Sequence, residues 1–457
     1  MRSFLIVVSL FFTLQIGLAQ VKNKFSISFD NAEHHEAKIT GTFTNLSEGT
    51  VSLVMGRTST ENYALHEFTR NIYDLKITDG KGKNVTITKP NLYQWDVTGH
   101  DGTIHIYYTL FADKGNAIYS QIDEIHALIN NPSAFMYVPS LKERPVEISY
   151  VSRNDLNWKI ATPMKSTGTN TYQAANLADF MDSSTLLSNH TIQEYKVGSG
   201  NREQTIKMAL NHNGSDIEAK ELFEKIKRVI DVQKDVFGDY PSFDDNAYHF
   251  LVSLMPQMST GGMGHRNSAV ITSSKSITES TINDIVENFA HQFLHSWNKQ
   301  RIRPVSLESF DYSKLNLLDE LWFVDGITEY YANLSLCRAG IITKDEYISD
   351  LTQKYNQVWN SSALRHGGPI EMSRKASFLE NTEDTRFLNK ENTVIPYITY
   401  GEVLGLALDL SLRAENDDLN LDEFMKLFWT KYGKTEIRYT TDNIFLTLRE
   451  YAGASFA

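Results

Sequence analysis

His291 and His295 stand four residues apart in "AHQFLHSWNKQRIRP", residues 290–304. On a helix that spacing brings two imidazoles to one side, where a nitrogen of each can hold one zinc ion. In such a motif the residue after the first His is a carboxylate, the base that takes a proton from metal-bound water. Here that residue is Gln292. An amide is nearly the same size and can hydrogen-bond water, but it cannot accept the proton.

The chemistry requires the segment to be helical. Taking about 100° per residue along "STINDIVENFAHQFLHSWN", with His291 at zero, places His295 at about 40° and Asp284 at about 20°. Ile282, Ile285, Val286, Phe289 and Phe293 gather on the opposite side, so the pattern predicts a polar stripe carrying both histidines and a back packed into a core. Taken alone, a bare His-x-x-x-His is more often a solvated pair on an amphipathic helix. A second helix is predicted over "LLDELWFVDGITEYYANLSLCRAG", with Asp319 as N-cap and Gly340 as stop. It offers Asp325 as a third metal ligand from a neighbouring helix. Glu329, one turn further on the same face, is the reserve ligand and is read as a surface charge. Lys299, Arg301 and Arg303 follow the histidines and are read as complementing the helix C-terminus.

From Lys24 to about Ser188 stretches such as "KFSISF", "AKITGTF" and "GTIHIYYTLF" alternate apolar and polar residues and predict strands. Near Asp216 the period becomes helical in "DIEAKELFEKIKRVIDVQKDVFG", and from Thr278 onward the reading is mostly helical. "GSGNREQ" and "NHNGS", between residues 188 and 215, are read as linker or surface loop. Residues 1–19, "MRSFLIVVSLFFTLQIGLA", have the charged start, short apolar stretch and small residues of a cleaved export signal, so a secreted or periplasmic location is expected. The chain has 457 residues, 41% hydrophobic and 22% charged, with a net charge of −12 and no long basic run. That composition argues for a folded core and against a nucleic-acid partner, and no membrane span is expected once the signal is removed. Cys337 is the only cysteine, so no disulfide within the chain can form.

Together, "YALHEFTRNIYDLKITDGKGK", "YQWDVTGHDGTIHIYYTLF", "VFGDYP", "GGMGHRNS", "HQFLHSWNKQRIRP", "LWFVDGITEYY" and "GEVLGLALDLSLR" resemble the glycyl aminopeptidase family of zinc metallopeptidases, relatives of aminopeptidase N. The resemblance implies an α+β multidomain fold. Residues 20–195 would form a β-sandwich-like domain, 215–345 a thermolysin-like domain and 346–457 a helical part. It also implies zinc held by His291, His295 and Asp325, and a substrate edge formed by Gly261, Gly262, Met263, Gly264 and His265. The departures from the family pattern fall in the chemistry. Gln292 replaces the catalytic Glu, Gly264 the Glu that holds a substrate's free amino terminus, and Asp325 the metal-binding Glu, whose reach it shortens by about 1.5 Å. The family's oxyanion-donating Tyr falls on Ile398, and a one-residue shift in register would give that role to the adjacent Tyr397. Relatives commonly carry a PDZ domain after the helical part, and this chain stops at "LREYAGASFA", before such a module. The expectation is an exported protein without peptidase activity that keeps a weakened zinc site or a cleft for a peptide or protein. The alternative is an active zinc aminopeptidase releasing N-terminal Gly or Ala.

Overall fold

The alternating stretches become strands in the computed structural model, which describes residues 20–60, 62–308, 310–380, 389–454 and 456. The expected export signal lies outside them. A seven-stranded sheet runs in the spatial order Lys165–Gly168, Thr171–Ala174, Val146–Val151, Asn23–Asn31, Glu36–Phe43, Ile104–Phe111, Ile72–Asp79. Its one parallel pair joins Asn23–Asn31 to Val146–Val151. Inward residues alternate along the central strands, as in Ala37, Ile39 and Phe43, and they close on a core where Phe25 stacks on Phe180 at 5.6 Å. Two four-stranded sheets complete this β-rich part. His34 and His35 sit in the turn after the first strand, His35 with φ 62°.

The segment read as linker holds two strands instead. Thr191–Val197 and Gln204–His212 pair antiparallel, and "GSGNRE" is the surface turn between them. They belong to a five-stranded sheet ordered Thr191–Val197, Gln204–His212, Ala247–Leu254, Ser268–Ser273, Gly261–Gly264. Helix Asp216–Phe237 crosses from the second of these strands to the third, which run parallel. It begins on a capping box of Ser215 and Glu218 and stops at Gly238, where the helical period of the sequence ends.

Both faces of this sheet are covered. Leu251, Val270 and Met263 pack against Leu128 and Leu186 of the β-rich part. On the other face Tyr248 and Phe250 meet Phe289 and Phe293 of the histidine helix, Ile282–Leu294, with ring centroids 4.9 Å apart in the pairs Tyr248–Phe293 and Phe250–Phe289. The helical remainder includes Leu321–Arg338, Lys344–Trp359 and Tyr397–Glu415. Helix Leu321–Arg338 starts after Glu320, not Asp319; Asp319 instead binds Arg374 through both carboxylate oxygens at 2.6 and 2.7 Å. Where this helix meets Tyr397–Glu415, a Cβ on Gly401 would lie 1.9 Å from the Trp322 carbonyl oxygen. Glycine is the one residue that lets the two helices approach so closely. Among the described residues no helix is long and apolar enough to cross a membrane.

His190 is buried where the β-rich part meets the five-stranded sheet, and burial, with Lys159 nearby, pushes it down to about 4. The unfolded chain therefore binds a proton near pH 6.5 that the folded chain refuses until about pH 4. Stability from this group is complete above pH 6.5 and lost as pH falls toward 4, by up to roughly 3 kcal/mol. Urea denaturation at stepped pH should show a shallower acid loss in His190→Gln than in the native protein.

Candidate functional site

The histidine helix carries both imidazoles toward helix Leu321–Arg338, as its apolar back demands. Each ring is anchored through its outer nitrogen. His291 Nδ1 donates to Glu329 Oε2 at 2.6 Å, and His295 Nδ1 donates to the Asn298 carbonyl at 3.1 Å. Glu329 is thus no surface charge but the group that fixes His291. It sits one turn beyond Asp325 on one helix, and that spacing was the signal available in the sequence. Burial opposes its ionisation, yet the His291 hydrogen bond and charge, with Lys354 at 3.4 Å, hold Glu329 down at about 2.

With both Nδ1 atoms donating, the two Nε2 atoms turn toward each other, 3.1 Å apart. Two lone pairs that close require a cation between them, either a proton or a metal ion. Of the two rings, His291 has the higher proton affinity. Burial pulls its affinity down, but the bond to Glu329 overcomes this and raises it. His295 moves the other way, lowered by burial and then by Lys299 and His291. Two imidazoles on one tetrahedral zinc would hold their nitrogens about 3.3 Å apart, so the pair fits a metal.

The third corner is contested. Asp325 is buried, its Oδ1 3.7 Å from His295 Nε2, and the same oxygen lies 3.9 Å from Lys299 Nζ. Burial raises the Asp325 carboxyl against the lowering pull of Lys299, His291 and Tyr397. Lys299 therefore points into the site and does not serve the helix C-terminus, whereas Arg301 does reach back, donating to the Ser296 carbonyl at 2.8 Å. Tyr397, also buried, donates to Glu380, whose other oxygen accepts from the Tyr63 backbone N–H. Burial pushes Glu380 up to about 7 despite those bonds. Tyr63 and Glu380 went unnoticed in the sequence, because no spacing rule joins a β-domain loop to a short helix more than 300 residues later.

The glycine-rich strand closes the site from above. Asn288 Nδ2 donates to the Gly261 carbonyl at 2.8 Å and Gln300 Nε2 to that of Gly264 at 3.1 Å. Gln292 is held toward Asn288 Oδ1 at 3.4 Å. Gly262 lies against the same two side chains, and Met263 packs into the contact with the β-rich part. His265 is buried with Nδ1 2.9 Å from Asp182 Oδ1 and Nε2 3.5 Å from Ser184 Oγ, so both ring nitrogens turn to the N-terminal part.

Two family models match the chain: the peptidase M61 N-terminal domain over residues 24–189 and M61 glycyl aminopeptidase over residues 284–404. The chain belongs to the M61 glycyl aminopeptidase family. No curated protein sequence matches it. Among solved structures it is similar to an aminopeptidase N family protein from Idiomarina loihiensis, with 22% identity and a TM-score of 0.80 over 94% of this chain and 74% of that one. It is also similar to an M1 zinc metallopeptidase from Deinococcus radiodurans, with 11% identity and a TM-score of 0.51 over 96% and 91% of the two chains. A third is aminopeptidase A of Legionella pneumophila, in complex with aspartic acid, with 10% identity, a TM-score of 0.52 and 95% and 48% covered. These likenesses establish the aminopeptidase fold.

Gly264 sits where the packing leaves no room for a side chain. A Cβ there would sit 2.6 Å from the Gln292 carbonyl oxygen and 2.8 Å from His295 Cβ. Strand and helix have closed over the space a side chain would need, so no larger residue fits there without moving one of them. Gly264→Ala should cost about 1–3 kcal/mol, read as a lower urea midpoint at unchanged slope. An unchanged midpoint would show that the strand yields freely.

Proposed function

We propose that this M61 member is exported by its N-terminal signal and does not hydrolyse peptides, its role being to bind a peptide or protein through the old cleft or its rim. The observation that carries the reading is Gln292 on the histidine helix, with no carboxylate in its place. Glu329 is committed to His291 and Lys354. Glu287 lies one turn back, with burial and then Glu329 raising its carboxyl. Other family roles are spent as well. No carboxylate stands at Gly264 to meet a substrate amine, and the Tyr397 hydroxyl is engaged by Glu380. The histidine pair with Asp325 would hold zinc if it binds, and zinc would supply Lewis-acid polarisation of a carbonyl. Proton transfer to and from the reacting atoms would still lack a base, a contribution typically worth about 10²–10⁴-fold.

The test is to incubate the purified mature protein with fluorescent peptides bearing N-terminal Gly or Ala, with and without added zinc. Saturable binding without cleavage is expected. Cleavage that EDTA abolishes would establish the active aminopeptidase instead. An absence of binding would move the role from the cleft to the β-rich part.

A further inference from the structure

We propose that Lys299 is the resident cation of this site, its ammonium standing against Asp325 where a family member would use a metal ion. Two independent observations carry this. The first is placement: Lys299 is 2% exposed, its Nζ lies 3.9 Å from Asp325 Oδ1, and it rests 5.2 Å from the centre of the Tyr63 ring. A lysine so far out of water is held by its partners or not at all. The second is backbone: Lys299 has φ 110°, a region that favours glycine and that a side chain occupies only under strain. A glycine at this turn would relieve the strain, so the side chain itself must be what the position supplies.

The consequence concerns the metal. A divalent ion on His291 and His295 would share Asp325 with a fixed positive charge in a site shielded from water, where like charges a few ångströms apart repel strongly. Lys299 thus lowers zinc affinity, and removing its charge raises it. That sign is opposite to the loss expected when a supporting side chain is deleted. Nothing in this inference requires the protein to be non-hydrolytic, although it accounts for a metal site that is only half available.

The experiment is competition of zinc against a fluorescent chelator for the native protein, Lys299→Met, Lys299→Gly and Lys299→Met/His291→Ala, with folding checked by circular dichroism. Methionine keeps an unbranched stem without the charge, and glycine suits the backbone. Both single variants should bind one zinc per chain about tenfold or more tighter than the native protein, and the double variant should lose that gain. Equal or weaker zinc binding in Lys299→Met overturns the proposal. So does a gain confined to Lys299→Gly, which would assign the effect to the backbone. Should Lys299→Gly not fold, Lys299→Met decides alone; should Lys299→Met not fold, Lys299→Gln takes its place in the same comparison. Because affinity is read here and turnover in the peptide assay, either conclusion can fail while the other stands.

Discussion

Charge taken out of water has to be neutralised where it lies, and the centre of this molecule is arranged around that requirement. His291 answers Glu329, Lys354 answers both Glu329 and the fully buried Glu402, and Lys299 answers Asp325. The helices bearing these groups are pressed together by an apolar core, and the Gly326–Gly401 crossing fixes how near they come. Here Tyr397, Gly261 and Gly264 find their partners within the chain.

Gly264, Gln292 and Asp325 therefore share one local environment. Once the glycine-rich strand settles onto the histidine helix, a side chain at 264 has no room, and the amide of Gln292 adds no negative charge beneath it. Asp325, a methylene shorter than glutamate, is met by an ammonium that reaches in from the following turn. A frame that still folds as an aminopeptidase can thus hold a polar centre that is largely self-contained.

Much of the architecture was legible in the sequence. The alternation of "AKITGTF", the helical period ending at Gly238 and the apolar back of the histidine helix each reflect one face being buried, and one-dimensional patterns record that well. The strands at 191–212 were missed because their flanking glycines and asparagines look like linker, while "QTIKMAL" between them carries the alternation. At the site, the histidine spacing and Asp325 could be read from two helices. The roles of Glu329, Lys299, Tyr63 and Glu380 depend on how separate elements cross, and local pattern does not encode that. Asp319 was misplaced as a cap because its long-range partner, Arg374, outweighs the local preference.

The five-stranded sheet presents one apolar face to the helices and the other to the β-rich part, and His265 reaches from its edge to Asp182. The N-terminal portion is therefore the second wall of a shared interior, not an accessory hung beside the peptidase frame. Severing the chain near residue 190 would leave Leu251, Val270 and Met263 facing water and the glycine-rich strand without its anchor. The two parts share buried apolar surface and the His265–Asp182 contact, so loss of the N-terminal sheets removes one wall of the cleft's support.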